Sequence, residues 1–215
     1  IQTDEILTGT GKSQRSFRVY NMELNRNLFA LRNNAFRAGW LPETDRLFYQ
    51  VDKDGNTDVY LFNPETGEES LAASGLKSPE RITWSPDENY FLFSHSEEAQ
   101  KTGDLKRIFG NEDRIPGTRD RSYLYLFDLK TKITRPLTAG AESSNLHDIK
   151  PDGSRILFST SRMDYGEVPF TKQTLYELDP ATMDLDTIWK DKLYDGSFQY
   201  SPDRSQLLVS GGPET

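Results

Sequence analysis

The sequence predicts an all-β fold, a partial β-propeller of four-stranded antiparallel blades, and three observations predict it. A proline-containing turn followed by a short apolar strand occurs four times, an aromatic or aliphatic segment precedes each turn, and an alternating strand with a further turn and strand follows the first three. Self-similarity at intervals of a few tens of residues marks a stacked repeat rather than one large sheet.

The four turns run Pro42-Glu-Thr-Asp-Arg-Leu-Phe-Tyr, Pro86-Asp-Glu-Asn-Tyr-Phe-Leu-Phe, Pro151-Asp-Gly-Ser-Arg-Ile-Leu-Phe and Pro202-Asp-Arg-Ser-Gln-Leu-Leu-Val. Each leads into an apolar triplet: Leu47/Phe48/Tyr49, Phe91/Leu92/Phe93, Ile156/Leu157/Phe158 and Leu207/Leu208/Val209. A short apolar run bounded by turn residues reads as a strand buried on both faces. Ahead of the turns, Gly39-Trp40-Leu41, Ile82-Thr83-Trp84-Ser85, Asp148-Ile149-Lys150 and Phe198-Gln199-Tyr200-Ser201 supply first strands. Third strands alternate apolar and polar residues, as in Asp58-Val-Tyr-Leu-Phe-Asn-Pro, Ser122-Tyr-Leu-Tyr-Leu-Phe-Asp-Leu and Gln173-Thr-Leu-Tyr-Glu-Leu-Asp-Pro. Turns at Glu65-Thr-Gly67, Lys130-Thr-Lys132 and Ala181-Thr-Met183 pass to fourth strands. Four antiparallel strands per repeat make a propeller blade.

The boundaries follow from these elements. Residues 1–36 are expected to be a half blade, strands three and four, with an irregular N-terminus; 37–80, 81–143 and 144–192 are whole blades; 193–215 is a half blade of strands one and two. Uneven proline spacing places insertions between strands two and three, over 95–121 in the second whole blade and 162–170 in the third. Long loops on a rigid repeat scaffold are where binding surfaces tend to sit. The chain opens on Ile rather than Met, so it is expected to be a processed or truncated piece of a longer polypeptide.

Composition narrows the function. With 34% hydrophobic and 12% aromatic residues, the chain can build a core from Phe, Tyr and Leu. Its net charge is −8 and its Lys and Arg residues are scattered, so neither nucleic acid nor an acidic membrane surface is an expected partner. No apolar segment approaches membrane-spanning length. Cysteine is absent, which removes disulfides and thiolate chemistry without identifying the compartment; a periplasmic or secreted setting is the expectation, with the cytoplasm as the alternative.

Catalytic motifs are not found. No Gly-x-Ser-x-Gly occurs, and the two histidines, His95 and His147, lie in no His-Glu-x-x-His context. Gly9-Thr-Gly11-Lys12-Ser13 has the end of a phosphate-binding loop, but Ile6 stands where its first glycine would be. Asp52-Lys-Asp54-Gly-Asn56-Thr-Asp58 spaces carboxylates like a calcium loop, yet Thr57 and Asn63 break the pattern and Asp-Gly predicts a hairpin instead. No catalytic residue, cofactor or metal is therefore assigned. The segment from His95 through Glu97-Glu98 to Arg107, Arg114, Arg119 and Arg121 reads as a charged loop, either meeting a substrate terminus or partner or simply solvated. Glu68-Glu69 reads as an ordinary turn pair, and His147 as a hydrogen-bonded structural residue.

Trp84-Ser-Pro-Asp87, Lys150-Pro-Asp-Gly153 and Tyr200-Ser-Pro-Asp203 resemble the W-S-P-D-G repeat of two groups: TolB-type propellers, and the N-terminal propellers of the prolyl oligopeptidase and dipeptidyl peptidase IV family of serine peptidases. The resemblance spans about residues 37 to 215, and the long inserts look closer to the dipeptidyl peptidase IV side. It implies a propeller forming a chamber over an α/β-hydrolase domain, whose serine, aspartate and histidine would lie outside this chain. The chain would then select peptide substrates without cleaving them. Dipeptidyl peptidases hold the substrate amine with a glutamate pair shortly before a W-S-P turn; Glu97-Glu98 follows the Trp84 turn and Glu68-Glu69 has no aromatic neighbours, so neither is carried over.

The rival expectation is a TolB-like module that binds a protein or peptide with no reaction. An enzyme acting within the propeller would need convergent carboxylates, and no pair is placed together by the sequence. The expected partners are a peptide substrate or protein partner and a hydrolase domain of the same polypeptide. Complementary half blades would also allow a homo-oligomer joined through exposed blade edges.

Overall fold

The computed structural model describes residues 2–6, 13–32, 34–98, 119–168, 170–192 and 196–211, all strand, turn or irregular, with no helix among them. Two compact units divide the chain, Ile1–Pro79 with Leu129–Lys132, and Glu80–Asp128 with Ile133–Thr215.

The first unit holds two sheets. Strands β1 (Gln2–Ile6), β2 (Ser13–Asn21) and β3 (Arg26–Ala30) form an antiparallel sheet in that order. The expectation of an irregular N-terminus ahead of two strands is corrected here, because Gln2 to Ile6 pair residue for residue with Phe17 to Ser13. These five residues are mostly polar and carry no apolar run; their pairing rests on backbone hydrogen bonds, which hydropathy does not report. Strands β4 (Ala35–Trp40), β5 (Leu47–Lys53), β6 (Asn56–Phe62) and β7 (Glu69–Lys77) form a four-stranded meander.

The β5–β6 hairpin turns through Asp54 (φ 55°) and Gly55 (φ 82°), as Asp-Gly predicts. Asp58, 4% exposed, accepts the Gly75 backbone N–H at 2.9 Å and closes the irregular β6–β7 register beside it. Leu31, Leu47, Tyr49, Val51 and Phe62 make this unit's core, with Phe17, Val19 and Phe29 of the first sheet packed against them.

The second unit contains three sheets. Strands β8 (Ile82–Trp84), β9 (Tyr90–Glu97), β10 (Arg121–Asp128) and β11 (Ile133–Pro136) form one meander; β12 (Ser143–Ile149), β13 (Ile156–Met163), β14 (Thr171–Leu178) and β15 (Leu185–Lys192) form the next; β16 (Gly196–Tyr200) and β17 (Leu207–Gly211) pair alone. Pro136 lies in β11, an edge strand, where a missing N–H is tolerated. Leu92, Leu124, Leu126 and Leu137 of the first sheet and its flank pack on Ile149, Ile156, Phe158 and Leu178 of the second. Leu157 and Leu175 pack in turn on Phe198 and Tyr200. The third triplet therefore presents Ile156 and Phe158 to one neighbouring sheet and Leu157 to the other, which is why a continuous run rather than an alternation marks it.

The fourth triplet departs from this rule. Leu208 is 65% and Val209 38% exposed, whereas Phe91, Leu92, Ile156 and Leu157 are 0% exposed. Among the described residues β17 pairs only with β16, so no third strand or facing sheet covers it. Strand pairing also runs further into the second blade's insertion than the sequence suggests: Glu97 pairs with Arg121 and His95 with Tyr123. Residues 99–118, including Arg107 and Arg114, lie outside the described residues, as do Gly9 to Lys12.

The repeated Pro-Asp serves the turn. Oδ1 of Asp87, Asp152 and Asp203 accepts the backbone N–H two residues on, from Asn89 (3.2 Å), Ser154 (3.0 Å) and Ser205 (3.2 Å). The intervening residue takes positive φ: Glu88 56°, Gly153 72°, Arg204 67°. Third-to-fourth-strand turns use the same device. Asn63 and Asp179 accept from the backbone N–H groups of Glu65 and Ala181, and Gly67 (φ 76°), Lys132 (φ 59°) and Met183 (φ 66°) occupy the left-handed position. Met183 is 42% exposed. Met183→Gly is therefore expected to raise stability by about 0.5–1 kcal/mol in urea melts, since glycine lacks the left-handed penalty. A loss would show that the thioether packing outweighs the backbone relief.

Candidate functional site

The first strands of the second unit, β8, β12 and β16, border three hollows of about 280, 300 and 510 Å³, and all three share Arg81 and Leu146 in their lining. The smallest is rich in hydroxyls, with Ser94, Ser122, Ser143, Ser144 and Ser161 beside Glu80 and Asn145. The others add Thr83, His147, Ser197 and Gln199. Thr83, Asn145, His147, Ser197 and Gln199 stand on first strands whose Ile82, Trp84, Ile149 and Phe198 are buried, while Ser94, Ser122 and Ser161 come from β9, β10 and β13. Period two thus turns one set of side chains into the core and the other toward the cleft.

A register shift between Leu146 and Asp148 leaves His147 as the extra residue of a β-bulge, and bulges re-aim side chains. Its Nε2 lies 2.8 Å from Ser159 Oγ, and its ring meets Phe198 edge-on at 4.8 Å. The structural reading of His147 holds, with a place in the cleft lining added to it. A Ser–His contact of this length has the spacing of a nucleophile and its base. Ser159 is only 1% exposed, however, and among the described residues no carboxylate orients the ring, so the pair serves packing and strand position.

Burial lowers the His147 pKa below 6.5. The unfolded chain then binds a proton that the folded one refuses between that lowered value and 6.5, so stability falls as pH drops through this window and is unaffected by this group above it. A His147→Asn variant is expected to lose less stability than the parent between about pH 7 and pH 5.5, by urea midpoints. Equal slopes would remove His147 from the pH response.

Asp148 ties two of the lining strands together. Its Oδ1 accepts the Ile149 N–H at 2.9 Å and its Oδ2 accepts the Tyr200 N–H of β16 at 2.8 Å. Tyr200 in turn donates its hydroxyl to Glu177 at 2.7 Å, and burial together with that bond pushes its phenol pKa up.

Glu69 is not a free turn residue. It accepts from the Arg32 guanidinium (Nε at 2.9 Å) and from the Tyr49 hydroxyl, while Arg32 lies 4.3 Å over the Tyr60 ring and Tyr49 stacks on Tyr60. Burial raises the Glu69 pKa, but the bonds from Arg32 and Tyr49 outweigh it and hold the carboxyl below its usual range. Sequence reasoning missed this trio because Arg32, Tyr49 and Glu69 are brought together only by sheet packing. Glu97 accepts the Tyr125 hydroxyl at 2.8 Å, and Arg121 donates to the Ala141 carbonyl at 2.6 Å. The shorter insertion is pinned by Lys172, which reaches Asp164 at 3.3 Å and Glu167 at 2.8 Å, and by Arg162, 3.2 Å from Asp191. Among the described residues no group of three or more His, Asp and Glu is arranged to hold a metal ion.

Four-stranded antiparallel meanders that pack, within each unit, on the sheet next in sequence define a β-propeller segment. The solved structures similar to it include the acylaminoacyl peptidase of Pyrococcus horikoshii (TM-score 0.71, 12% identity, over 100% of this chain and 33% of that one). The propeller domain of the trilobed protease of Pyrococcus furiosus matches with a TM-score of 0.65 at 12% identity, over 99% of this chain and 60% of that one. TolB of Acinetobacter baumannii matches with a TM-score of 0.52 at 16% identity, over 92% and 42%. At these identities the likeness shows the fold, and the chain spans a third of the acylaminoacyl peptidase. No family model and no curated protein matches the sequence. The expected partial β-propeller of four-stranded antiparallel blades is the observed fold.

Proposed function

We propose that this chain is a non-catalytic, substrate-selecting propeller segment of a serine peptidase, acting with a hydrolase domain outside this sequence. The observation that carries the reading is the polar cleft bordered by β8, β12 and β16: hydrogen-bonding side chains line it, while among the described residues no serine there is both exposed and paired with a base. Side chains that donate and accept suit an extended peptide, whose backbone offers both partners along its length. Similarity to two peptidase structures supports the same reading.

An antibody raised against the 215-residue chain should capture from the native cell extract a polypeptide larger than 24.6 kDa that labels with a fluorophosphonate probe for active serine hydrolases. A captured polypeptide of any size that stays unlabelled, under conditions where other serine hydrolases label, would sink the peptidase reading in favour of a propeller that only binds.

A further inference from the structure

Among the described residues, the cleft contains one full charge with no counter-ion. Arg81 lines all three hollows, is exposed, and makes no hydrogen bond or ion pair among the described residues. The two carboxylates in the same lining are engaged. Asp148 accepts a backbone N–H on each oxygen, and Glu80 lies 3.4 Å from the Ser94 hydroxyl. Around Arg81 stand groups able to donate: the Ser197 hydroxyl and the amides of Asn145 and Gln199. A guanidinium in a concave polar site offers a planar fork of N–H donors that matches a carboxylate with two parallel bonds. The chain as a whole carries −8, so polyanions are repelled at long range and a single negative charge is the anion best tolerated.

We propose that this cleft is a monoanion site in which the Arg81 guanidinium receives the free carboxylate of a peptide chain end. The inference rests on the peptide-selecting reading above and deepens it: the filter reads the C-terminal end of its substrate. Asn145, Ser197 and Gln199 complete the site by bonding the last peptide units.

The test uses the full 215-residue chain and an N-acetylated pentapeptide of alanine and serine in three forms: the free acid, the C-terminal amide, and the amide with one internal glutamate. Binding is followed by NMR titration for the parent, Arg81→Gln and Arg81→Lys, with circular dichroism confirming that each variant is folded. The free acid is expected to bind the parent about 10- to 100-fold more tightly than either amide, Arg81→Gln to abolish that preference, and Arg81→Lys to keep part of it. Equal binding of all three forms to the parent would overturn the carboxylate inference and leave the peptide reading standing. A glutamate amide that binds as tightly as the free acid would overturn the chain-end assignment. Absence of binding by every form would overturn both readings. The parent's preference among the three forms decides the matter even if a variant fails to fold.

Discussion

Phe91→Ala is expected to destabilise the second unit by about 3–5 kcal/mol, the range for emptying an aromatic site that cannot collapse. Phe91 is 0% exposed in the middle of β9, stacked on Phe127 at 5.0 Å and touching Trp84 at 5.0 Å and Phe93 at 6.2 Å. These rings come from three neighbouring strands of one sheet, so backbone hydrogen bonding fixes their spacing and none can move alone to fill the void. Against a total stability of about 5–15 kcal/mol, such a loss should move the urea midpoint strongly. Phe91→Leu keeps most of the volume and should lose less than half as much. A Phe91→Ala loss under about 1 kcal/mol would mean that the ring cluster is not part of the cooperative core.

Asp148→Ala is expected to cost about 1–3 kcal/mol, although the residue is only partly buried. The carboxylate bridges β12 to β16, and its removal leaves the N–H groups of Ile149 and Tyr200 without that acceptor. Since β16 and β17 form only a two-stranded sheet among the described residues, this bridge joins the Tyr200–Glu177 bond and the packing of Phe198 and Tyr200 in holding β16 to its neighbour. Amide hydrogen exchange should therefore quicken first at Tyr200 and its β16 neighbours. Asp148→Asn retains one acceptor oxygen and should lose about half as much. An Asp148→Ala protein with parental exchange across β16 would show that packing of Phe198 and Tyr200 suffices to hold the strand.

The two substitutions differ in how far their roles are visible in the chain itself. Phe91 lies in an apolar triplet after a Pro-Asp turn, so its burial is legible. Asp148 looks like one more surface carboxylate beside a strand, and only the approach of β16 gives it a partner. The same division separates the turns from the cleft. The carboxylate of each Pro-Asp pair bonds a backbone group two residues away, and that local geometry repeats wherever the motif does. Arg81, Asn145, His147 and Gln199 belong to three different sheets, and their common feature is a place on or beside a first strand.

Misreadings have equally specific causes. Gln2 to Ile6 form a strand without an apolar signature because their pairing is made by the backbone. Leu208 and Val209 have the apolar signature without burial because no further strand or sheet lies over them among the described residues.

The sequence by itself determined the blade architecture, the strand order within each sheet and the turn chemistry, because hydrophobic runs and Asx turns act over a few residues and recur with the repeat. Tertiary structure alone decided which polar side chains share a cleft, which carboxylates are engaged, and that Arg81 has no ionic partner among the described residues. Those properties depend on distances between strands far apart in the chain, and period-two alternation is the same whether a residue faces a cleft, a neighbouring sheet or water.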